Sequence, residues 1–311
     1  MPQYMRKGIN FVIPARNEES NIKITLEKLK SLSIPEEYKV IVVDHASKDE
    51  TAKVAQLEGA TVADLKTGTI GYARNYGVTF AEFDVIVFID ADISLTEEWA
   101  RNISNAITAI RSSYKLVTGS HCSAPEDGSI IERYWFDNFS KDEKTTHLGT
   151  GHLIVSTAFF TEIGGFDETL VTGEDYEFCM RVKESGGAVV NNAALKVIHR
   201  DYPKTIGHFI AREAWHGKGD AQNFKAFLGS KVAVMSAGFL VGHLALLLSL
   251  CIGNFELALA SILLIVGILV VSAVYKFRKA SPFAIFVNIF IFYAYYIGRA
   301  GSLLQRPFAN T

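Results

Sequence analysis

The stretch VIVFIDADISL, residues 85–95, runs from five apolar residues into two carboxylates one residue apart, Asp90 and Asp92. A short apolar run that ends abruptly at polar residues is typical of a strand buried on both faces, as in a parallel sheet. Carboxylates at positions i and i+2 after such a strand can meet at one hard divalent cation, because oxygen atoms are its preferred ligands. The D-x-D pattern is weak by itself, since a solvated turn has the same composition, so its meaning depends on the rest of the chain.

Short apolar runs alternate with helical patterns through the first 120 residues, which predicts an α/β fold. The predicted strands are residues 9–14, 38–44, 60–64, 84–90 and 115–120, and the predicted helices are residues 20–32 and 49–59. Within the first helix, Ile22, Leu26 and Leu29 fall on one face. We therefore expect a mostly parallel sheet flanked by helices.

Polar motifs follow three of the predicted strands: PARNEE (14–19), DHASKDET (44–51) and DAD (90–92). Ligands of open α/β sheets bind outside the carboxyl ends of the strands. A single acid in such a place is often only a helix cap, but three strand ends on one rim predict a crevice. Its side chains would be Arg16, Glu18, Asp44, Asp90 and Asp92.

The composition and net charge fit a globular protein and give no electrostatic reason to expect binding to nucleic acid. The chain has 311 residues, 21% of them charged, and a formal net charge of −2, so we expect no nucleic-acid partner. Its three cysteines, Cys122, Cys179 and Cys251, are far apart and in no metal-ligand spacing, which predicts reduced, structural thiols.

Three apolar segments follow Val232, at residues 232–252, 257–275 and 283–304. The first two contain no charge and approach the roughly 20 residues that cross a bilayer. The third contains Asn288 and Arg299, so it spans near its aromatic end or lies partly at the interface. If these segments were instead buried helices of a globular core, little chain would remain to cover their apolar surfaces. We predict a cytosolic domain, residues 1–229, and a membrane domain with about three transmembrane helices, residues 230–311.

Loop charges predict the orientation of these helices. The loop KFRKASP (276–282) carries three basic residues and GNFE (253–256) carries none, so the first should be cytoplasmic. The protein would then be integral to the cell inner or plasma membrane, with residues 1–229 in the cytosol. Residues 202–229 mix aromatic with basic side chains, which predicts interfacial helices; a plain connecting helix packed on the domain is the alternative.

An ordered series of motifs resembles the family 2 glycosyltransferases, which have the GT-A fold. The series covers about residues 8–220: VIPARNEE, VIVVDHASKDET, GYARNYG (71–77), VIVFIDAD, GTGHLIVS (149–156), IGGFDETLVTGEDYEFCMRV (163–182) and VIHRDYP (197–203). The resemblance implies a GT-A-like nucleotide-binding sheet and an inverting transfer of a sugar from a nucleotide sugar. It also implies a divalent cation, manganese or magnesium.

The resemblance assigns roles residue by residue. Nucleotide-sugar contacts would come from Pro14, Ala15, Arg16, Glu18, Asp44, Arg74, Asp90 and Ala91, although Arg74 could instead pair with a sheet-edge carboxylate. The metal ligands would be Asp92 with Asp90 and His199, the histidine being otherwise a diphosphate contact or an ordinary strand-end residue. The general base would be Asp175, preceded by Glu174, although both acids could simply charge the first turn of a helix. The acceptor loop would be Gly149, Thr150 and Gly151.

Two departures from the family pattern limit what the resemblance implies. Many members have Asp-Asp-Gly-Ser after the second strand, whereas this chain has Asp44-His45-Ala46-Ser47, which puts the usual nucleotide preference in doubt. The Gln-x-x-Arg-Trp mark of processive members is absent from the sequence, so we expect a non-processive enzyme.

The membrane segments point to a lipid-linked acceptor reached at the cytosolic face, with Arg212, Trp215 and His216 as candidate contacts to it. Other copies of the chain or other envelope-glycan enzymes are possible partners. Two rival functions remain open: a non-catalytic, membrane-anchored sugar-nucleotide-binding partner, and a sugar nucleotidyltransferase. The latter needs a glycine-rich basic loop after the first strand, and PARNEESN contains no glycine.

Overall fold

The computed structural model describes residues 5–137, 147–220 and 224–305. The chain forms two compact units: Met1–Pro125 with Lys141–Asp201, and Glu126–Ser140 with Tyr202–Thr311. We call them, after the roles that the sequence predicts, the catalytic unit and the membrane unit.

Nine strands lie in the described residues of the catalytic unit. They are β1 (Arg6–Ala15), β2 (Tyr38–His45), β3 (Thr61–Leu65), β4 (Phe83–Ile89), β5 (Ile93–Leu95), β6 (Leu116–Gly119), β7 (His152–Ser156), β8 (Ala188–Asn191) and β9 (Val197–His199). Seven of them form one sheet in the order β3-β2-β1-β4-β7-β6-β8, in which only β7 is antiparallel to its neighbours. The two others, β5 and β9, pair antiparallel in a separate small sheet. The predicted α/β class and mostly parallel sheet are confirmed.

Helices cover both faces of the large sheet. They are α1 (Glu19–Ser31), α2 (Thr51–Leu57), α3 (Ile70–Val78), α4 (Glu97–Ser112), α5 (Thr157–Glu162) and α6 (Glu174–Glu184). One core lies between the sheet and α1 and α4, and includes Leu26 and Trp99; the other lies beneath α3, α5 and α6, and includes Phe159 and Phe178. Burial from both sides explains why β4 is apolar at every position from Val85 to Ile89.

The strand order fixes where a ligand can bind. The chain builds β1, β2 and β3 outward in one direction and then places β4 on the other side of β1. Such a reversal opens a crevice between the carboxyl ends of the two central strands. Because β7 is antiparallel, it begins at this same rim, opposite the end of β4, where Ile89 pairs with His152.

The membrane unit contains α7 (Ile206–Asp220), α8 (Phe224–Gly229), α9 (Lys231–Ile252), α10 (Phe255–Phe277) and α11 (Pro282–Gln305), together with a π-helical turn, Glu132–Phe136. The membrane unit therefore includes this turn and the segment from Tyr202, whereas the sequence predicted a boundary after residue 229. Its Trp135 ring lies 4.8–5.5 Å from the rings of Phe209, Phe277, Phe292 and Tyr295. This aromatic packing joins the turn Glu132–Phe136 to helices far along the chain, and no local periodicity signals it.

In the part of the chain that the structure describes, three helices are long and apolar enough to cross a membrane: Lys231–Ile252, Phe255–Phe277 and Pro282–Leu303. They match the predicted segments to within a few residues. The third is half buried within the unit, and this accounts for its polar residues. Asn288 donates to the carbonyl of Tyr134 at 2.7 Å, and Arg299 pairs with Glu213 of α7 at 3.0 Å.

Candidate active site

The acidic turn Asp90–Ala91–Asp92 connects β4 directly to β5. β5 pairs with β9 in a register that places Ile93 opposite His199. The pairing brings His199 Nδ1 to 3.3 Å from Asp92 Oδ2. One potential ligand atom from each of Asp90, Asp92 and His199 lies within 4.8 Å of the others. The three predicted metal ligands therefore form one cluster.

The electrostatics of this cluster fit a cation. Burial, followed by the nearby carboxylates of Asp90 and Glu18, raises the pKa of Asp92 to about 8. Acids gathered so closely repel one another unless a positive charge is bound among them. Two carboxylates and an imidazole form a donor set that manganese or magnesium can use. The residues thus fit a divalent cation.

Two residues that the sequence did not single out hold the acidic turn in place. Thr25 Oγ1 on α1 lies 2.5 Å from the carbonyl of Ala91 and 3.0 Å from that of Ile93. The Arg200 guanidinium donates to Thr25 Oγ1 at 2.9 Å and to Ser94 Oγ at 2.6 Å. A signal for Thr25 was available, because it falls on the apolar face that also contains Ile22, Leu26 and Leu29. A buried hydroxyl on such a face needs a partner.

Asp44 closes the other side of the crevice, at the end of β2. It is only 8% exposed, and its Oδ1 atom is buried without a hydrogen-bond partner among the described residues. A buried acceptor left in this state is ready to take a hydrogen bond from a ligand.

The loops that follow β1 and β2 are tied to each other. The backbone N–H of Asn17 donates to Ser47 Oγ at 3.0 Å, and the backbone N–H of Lys48 donates to the Asn17 side-chain Oδ1 at 2.8 Å. Pro14 and Ala15 end β1 itself, while Arg16 is exposed and Glu18 is half-buried just before α1. These predicted nucleotide contacts all lie at the crevice end of β1.

Arg74 connects the acidic turn to α6. Its guanidinium, in a residue only 3% exposed, lies 2.7 Å from Asp90 Oδ1 and 2.7 Å from Glu174 Oε1. The carboxylate pairing that the sequence left open is therefore present, and it occurs twice. A nucleoside contact by Arg74 stays a prediction.

Asp175 follows Glu174 in the first turn of α6. Burial raises the pKa of Asp175 above its usual value, while the Tyr176 amide and Arg74 partly oppose the shift. A carboxylate of raised basicity is suited to removing a proton from a hydroxyl.

The glycine loop joins the two acidic sites. A Cβ atom placed on Gly149 would lie 3.6 Å from Asp175 Oδ2, and one on Gly151 would lie 3.3 Å from Asp90 Oδ2. Thr150, between them, is buried. The predicted acceptor loop thus extends from the candidate base to the acidic turn.

Three predicted acceptor contacts belong to the membrane unit. On α7, Arg212 pairs with the buried Glu213 at 2.7 Å, and Trp215 lies edge-on to the ring of His216. Burial, and then Arg212, lowers the pKa of His216 to about 4. Their role toward an acceptor stays a prediction. Glu213, which the sequence did not single out, organises this helix by binding both Arg212 and Arg299.

The sequence model of glycosyl transferase family 2 matches residues 10–161. Residues 10–161 therefore form a glycosyl transferase family 2 domain. This confirms the family resemblance and the expectation of an enzyme. The matched residues include the loop after β1, Asp44, Arg74 and the acidic turn.

Named glycosyltransferases are similar to this family 2 enzyme. Glycosyltransferase AglE of Haloferax volcanii is 26% identical over 227 residues, which are 69% of this chain and 73% of that protein. The pre-mycofactocin glycosyltransferase of Mycobacterium tuberculosis is 24% identical over 68% of this chain and 46% of its own length. The 4,4'-diaponeurosporenoate glycosyltransferase of Staphylococcus aureus is 34% identical over 143 residues, 44% of this chain and 36% of that one. The enzyme thus aligns with less than half the length of the last two.

Solved structures share its fold. Mannosyltransferase PcManGT from Pyrobaculum calidifontis, in complex with GDP-Man and Mn2+, has a TM-score of 0.62 at 14% identity, covering 97% of this chain and 89% of that one. GalNAc-T7 with UDP, GalNAc and Mn2+ has a TM-score of 0.54 at 14% identity, covering 76% and 51%. The GT-A-like fold is confirmed.

Proposed function

We propose that this glycosyltransferase transfers a sugar, with inversion, from a nucleotide sugar to a lipid-linked acceptor at the cytosolic face of a membrane. One observation carries the catalytic part of the proposal. The cation-binding cluster and Asp175 lie on one rim, linked by Arg74 and by the loop 149–151.

Donor binding would use both sides of the crevice. Asp44 Oδ1, buried and without a partner among the described residues, would accept a hydrogen bond from the base. Asp90, Asp92 and His199 would hold the divalent cation, which when bound neutralises charge on the departing diphosphate. PcManGT, which shares the fold, was solved with GDP-Man and Mn2+, and this supports the choice of donor class and metal.

The chemical step is a single displacement. Asp175 takes the proton of the acceptor hydroxyl as its oxygen bonds to the anomeric carbon, and the bond from that carbon to the diphosphate breaks. One displacement inverts the anomeric configuration. The raised pKa of Asp175 supports its role as the base.

The membrane helices support the lipid-linked acceptor. An active site anchored beside the bilayer reaches a lipid-borne group by searching in two dimensions. The basic loop 276–282 supports placing the catalytic unit in the cytosol, where nucleotide sugars are found.

The test uses the full chain in membranes and a panel of labelled nucleotide sugars, with manganese or with a chelator. We expect transfer of label to extractable lipid in manganese only. Asp175→Asn should lower kcat by about 10²–10⁴-fold while nucleotide binding persists. Asp92→Asn should abolish the manganese-dependent part of nucleotide binding.

The matched control is Glu162→Gln, which neutralises an exposed acid of α5. α5 follows β7, at the end of the sheet opposite the crevice, so this variant should behave as the wild type. Nucleotide binding without transfer of any sugar would favour the non-catalytic alternative. Full activity in Asp175→Asn would remove Asp175 as the base.

A further inference from the structure

An exposed aromatic side chain stands next to the candidate base. Tyr176 follows Asp175 on α6 and is 52% exposed. The ring of His147 lies edge-on to it, with centroids 5.5 Å apart at 72°. Two residues further along, Gly149 faces Asp175 Oδ2. Tyr176, His147 and Gly149 therefore lie together beside the candidate base.

We propose that Tyr176 and His147 form a subsite for a sugar residue of the acceptor, and that the nucleophile is a hydroxyl of that sugar. The inference rests on the function proposed above and specifies its acceptor. A pyranose has an apolar C–H face and a polar edge. The exposed ring of Tyr176 can cover the first, and an imidazole beside it can hydrogen-bond to the second.

The charges around Asp175 suit a neutral acceptor better than a phosphate. Asp90 and Glu174 are the nearby acids, and the guanidinium of Arg74 is bound to both. Burial lowers the pKa of His147. Burial, and then the nearby His147, lowers the pKa of His121 to about 4. Neutral imidazoles can bond to hydroxyls, but they offer a phosphate no positive charge.

Among the residues that the structure describes, the cation that acts on His147 is Lys183. It follows Asp175 by eight residues on α6, which places its backbone about 12 Å further along the helix axis. A phosphate acceptor is already ionised and needs no base. The placement of a basic carboxylate here therefore also favours a hydroxyl.

The step forms a glycosidic bond between two sugars. The hydroxyl oxygen of the acceptor sugar bonds to the anomeric carbon of the donor, its proton passes to Asp175, and the diphosphate leaves with its electron pair. The enzyme would then extend a glycan. A separate glycosyl- or phosphoglycosyl-transfer reaction must first attach a sugar to the carrier.

The linkage in the product tests this directly. Membranes containing the full chain are incubated with a labelled nucleotide sugar, and the labelled lipid is extracted, treated with mild acid and reduced with borohydride. A sugar joined to phosphate is released with a free reducing end and becomes a labelled alditol. A sugar joined to another sugar is instead released within a larger glycan, so we expect a labelled oligosaccharide alditol and no labelled monosaccharide alditol.

The outcomes separate the two proposals. A labelled monosaccharide alditol would overturn the sugar acceptor while leaving the lipid-linked glycosyltransferase intact. If no donor labels lipid, the proposed function fails and this inference fails with it.

Variants of Tyr176 test the subsite itself. With an organic extract of the same membranes as acceptor, Tyr176→Ala should raise the half-saturating amount about tenfold, from loss of the aromatic contact. Tyr176→Phe, which keeps the ring, should stay within about twofold. Nucleotide affinity should not change in either, because both variants leave the donor side intact and the exposed site tolerates them.

Tyr114 supplies the matched control. It is 47% exposed and precedes β6, at the end of the sheet opposite the crevice. Tyr114→Ala should behave as the wild type. An unchanged half-saturating amount in Tyr176→Ala would overturn the subsite.

Discussion

Ala46 occupies a backbone conformation that disfavours a side chain. In the loop after β2 its φ is +53°, in the left-handed region. An L-residue there costs about 1–2 kcal/mol, because its Cβ approaches the following carbonyl oxygen. Many family members have glycine at the matching position of Asp-Asp-Gly-Ser. This chain has lost the glycine and kept a left-handed backbone, which preserves the loop beside Asp44.

We therefore predict that Ala46→Gly stabilises the protein. Relief of the left-handed cost should exceed the added entropy of glycine in the unfolded chain, for a net gain of about 0.5–1 kcal/mol. This corresponds to a rise in Tm of about 1–4 °C, measurable by thermal unfolding of the full chain in detergent.

The same substitution in a helix provides the control for Ala46→Gly. Ala109 is exposed in α4, and Ala109→Gly should lower stability by about 1 kcal/mol. Opposite signs for the two substitutions identify the backbone conformation as the cause. A loss of stability in both would refute the left-handed strain at Ala46.

Among the elements, α1 supports the acidic turn from behind. Thr25 reaches the carbonyls of Ala91 and Ile93 from the buried face of the helix, and Arg200 binds its hydroxyl from the strand side. Partners that orient the ligands of a metal site influence its affinity although they do not touch the metal. α1 should therefore affect cation binding.

Thr25→Val tests this role, because it keeps the shape of the side chain and removes the hydroxyl. The carbonyls of Ala91 and Ile93 lose the hydrogen bond from the hydroxyl, and Arg200 loses one of its acceptors. Manganese affinity should therefore fall about 10–100-fold. Isothermal titration with manganese in the presence of nucleotide measures it.

Thr108→Val is the matched control for Thr25→Val. Thr108 is exposed on α4, and its hydroxyl bonds only to the carbonyl of Ser104 among the contacts described. Manganese affinity should not change in this variant. An equal loss in the two variants, or none in Thr25→Val, would contradict the role of α1.

Local pattern predicted the elements better than it predicted their partners. The apolar runs located β1, β2 and β4 because burial on both faces leaves a continuous signal. They also located β3, which is only partly buried. The pairing of β5 with β9 had no such signal, since it joins Ile93 to His199 across more than 100 residues. The Arg74–Glu174 ion pair spans 100 residues and depends on the packing of α3 and α6.

The family resemblance predicted which site residues lie together, which the local sequence pattern could not do. It grouped Asp92 with His199 and Gly149 with Asp175, and the structure brings both pairs together. It did not indicate Thr25, whose role comes from the particular packing of α1 on the turn.

For the whole molecule, composition located the membrane helices but not the extent of their unit. The apolar segments ended within a few residues of α9, α10 and α11. The segment 126–140 contains Ser, Glu, Asp and Arg beside its aromatics, so composition assigns it to a polar domain. Trp135 and Phe136 contact aromatic rings of the later helices, and these contacts assign the turn to the membrane unit.

Orientation across the membrane remains a prediction that the three cysteines make accessible to experiment. None of Cys122, Cys179 and Cys251, all within the described residues, is in a disulfide. Burial raises the pKa of the Cys122 thiol, and raises that of Cys179 to about 11. Thiols, unlike thiolates, react slowly, so these two contribute little background at neutral pH. Cys251→Ser then gives a starting chain for single reporters.

Two reporters added to that chain distinguish the faces of the membrane. Glu256 lies in the first turn of α10, in the loop segment without basic residues, and Ala280 lies in the basic loop before α11. Because basic loops are retained in the cytosol, a membrane-impermeant maleimide should label Glu256→Cys in intact cells. It should label Ala280→Cys only after the cells are permeabilised. The reverse pattern would place the basic loop outside, away from the cytosolic nucleotide sugars that the proposed reaction requires.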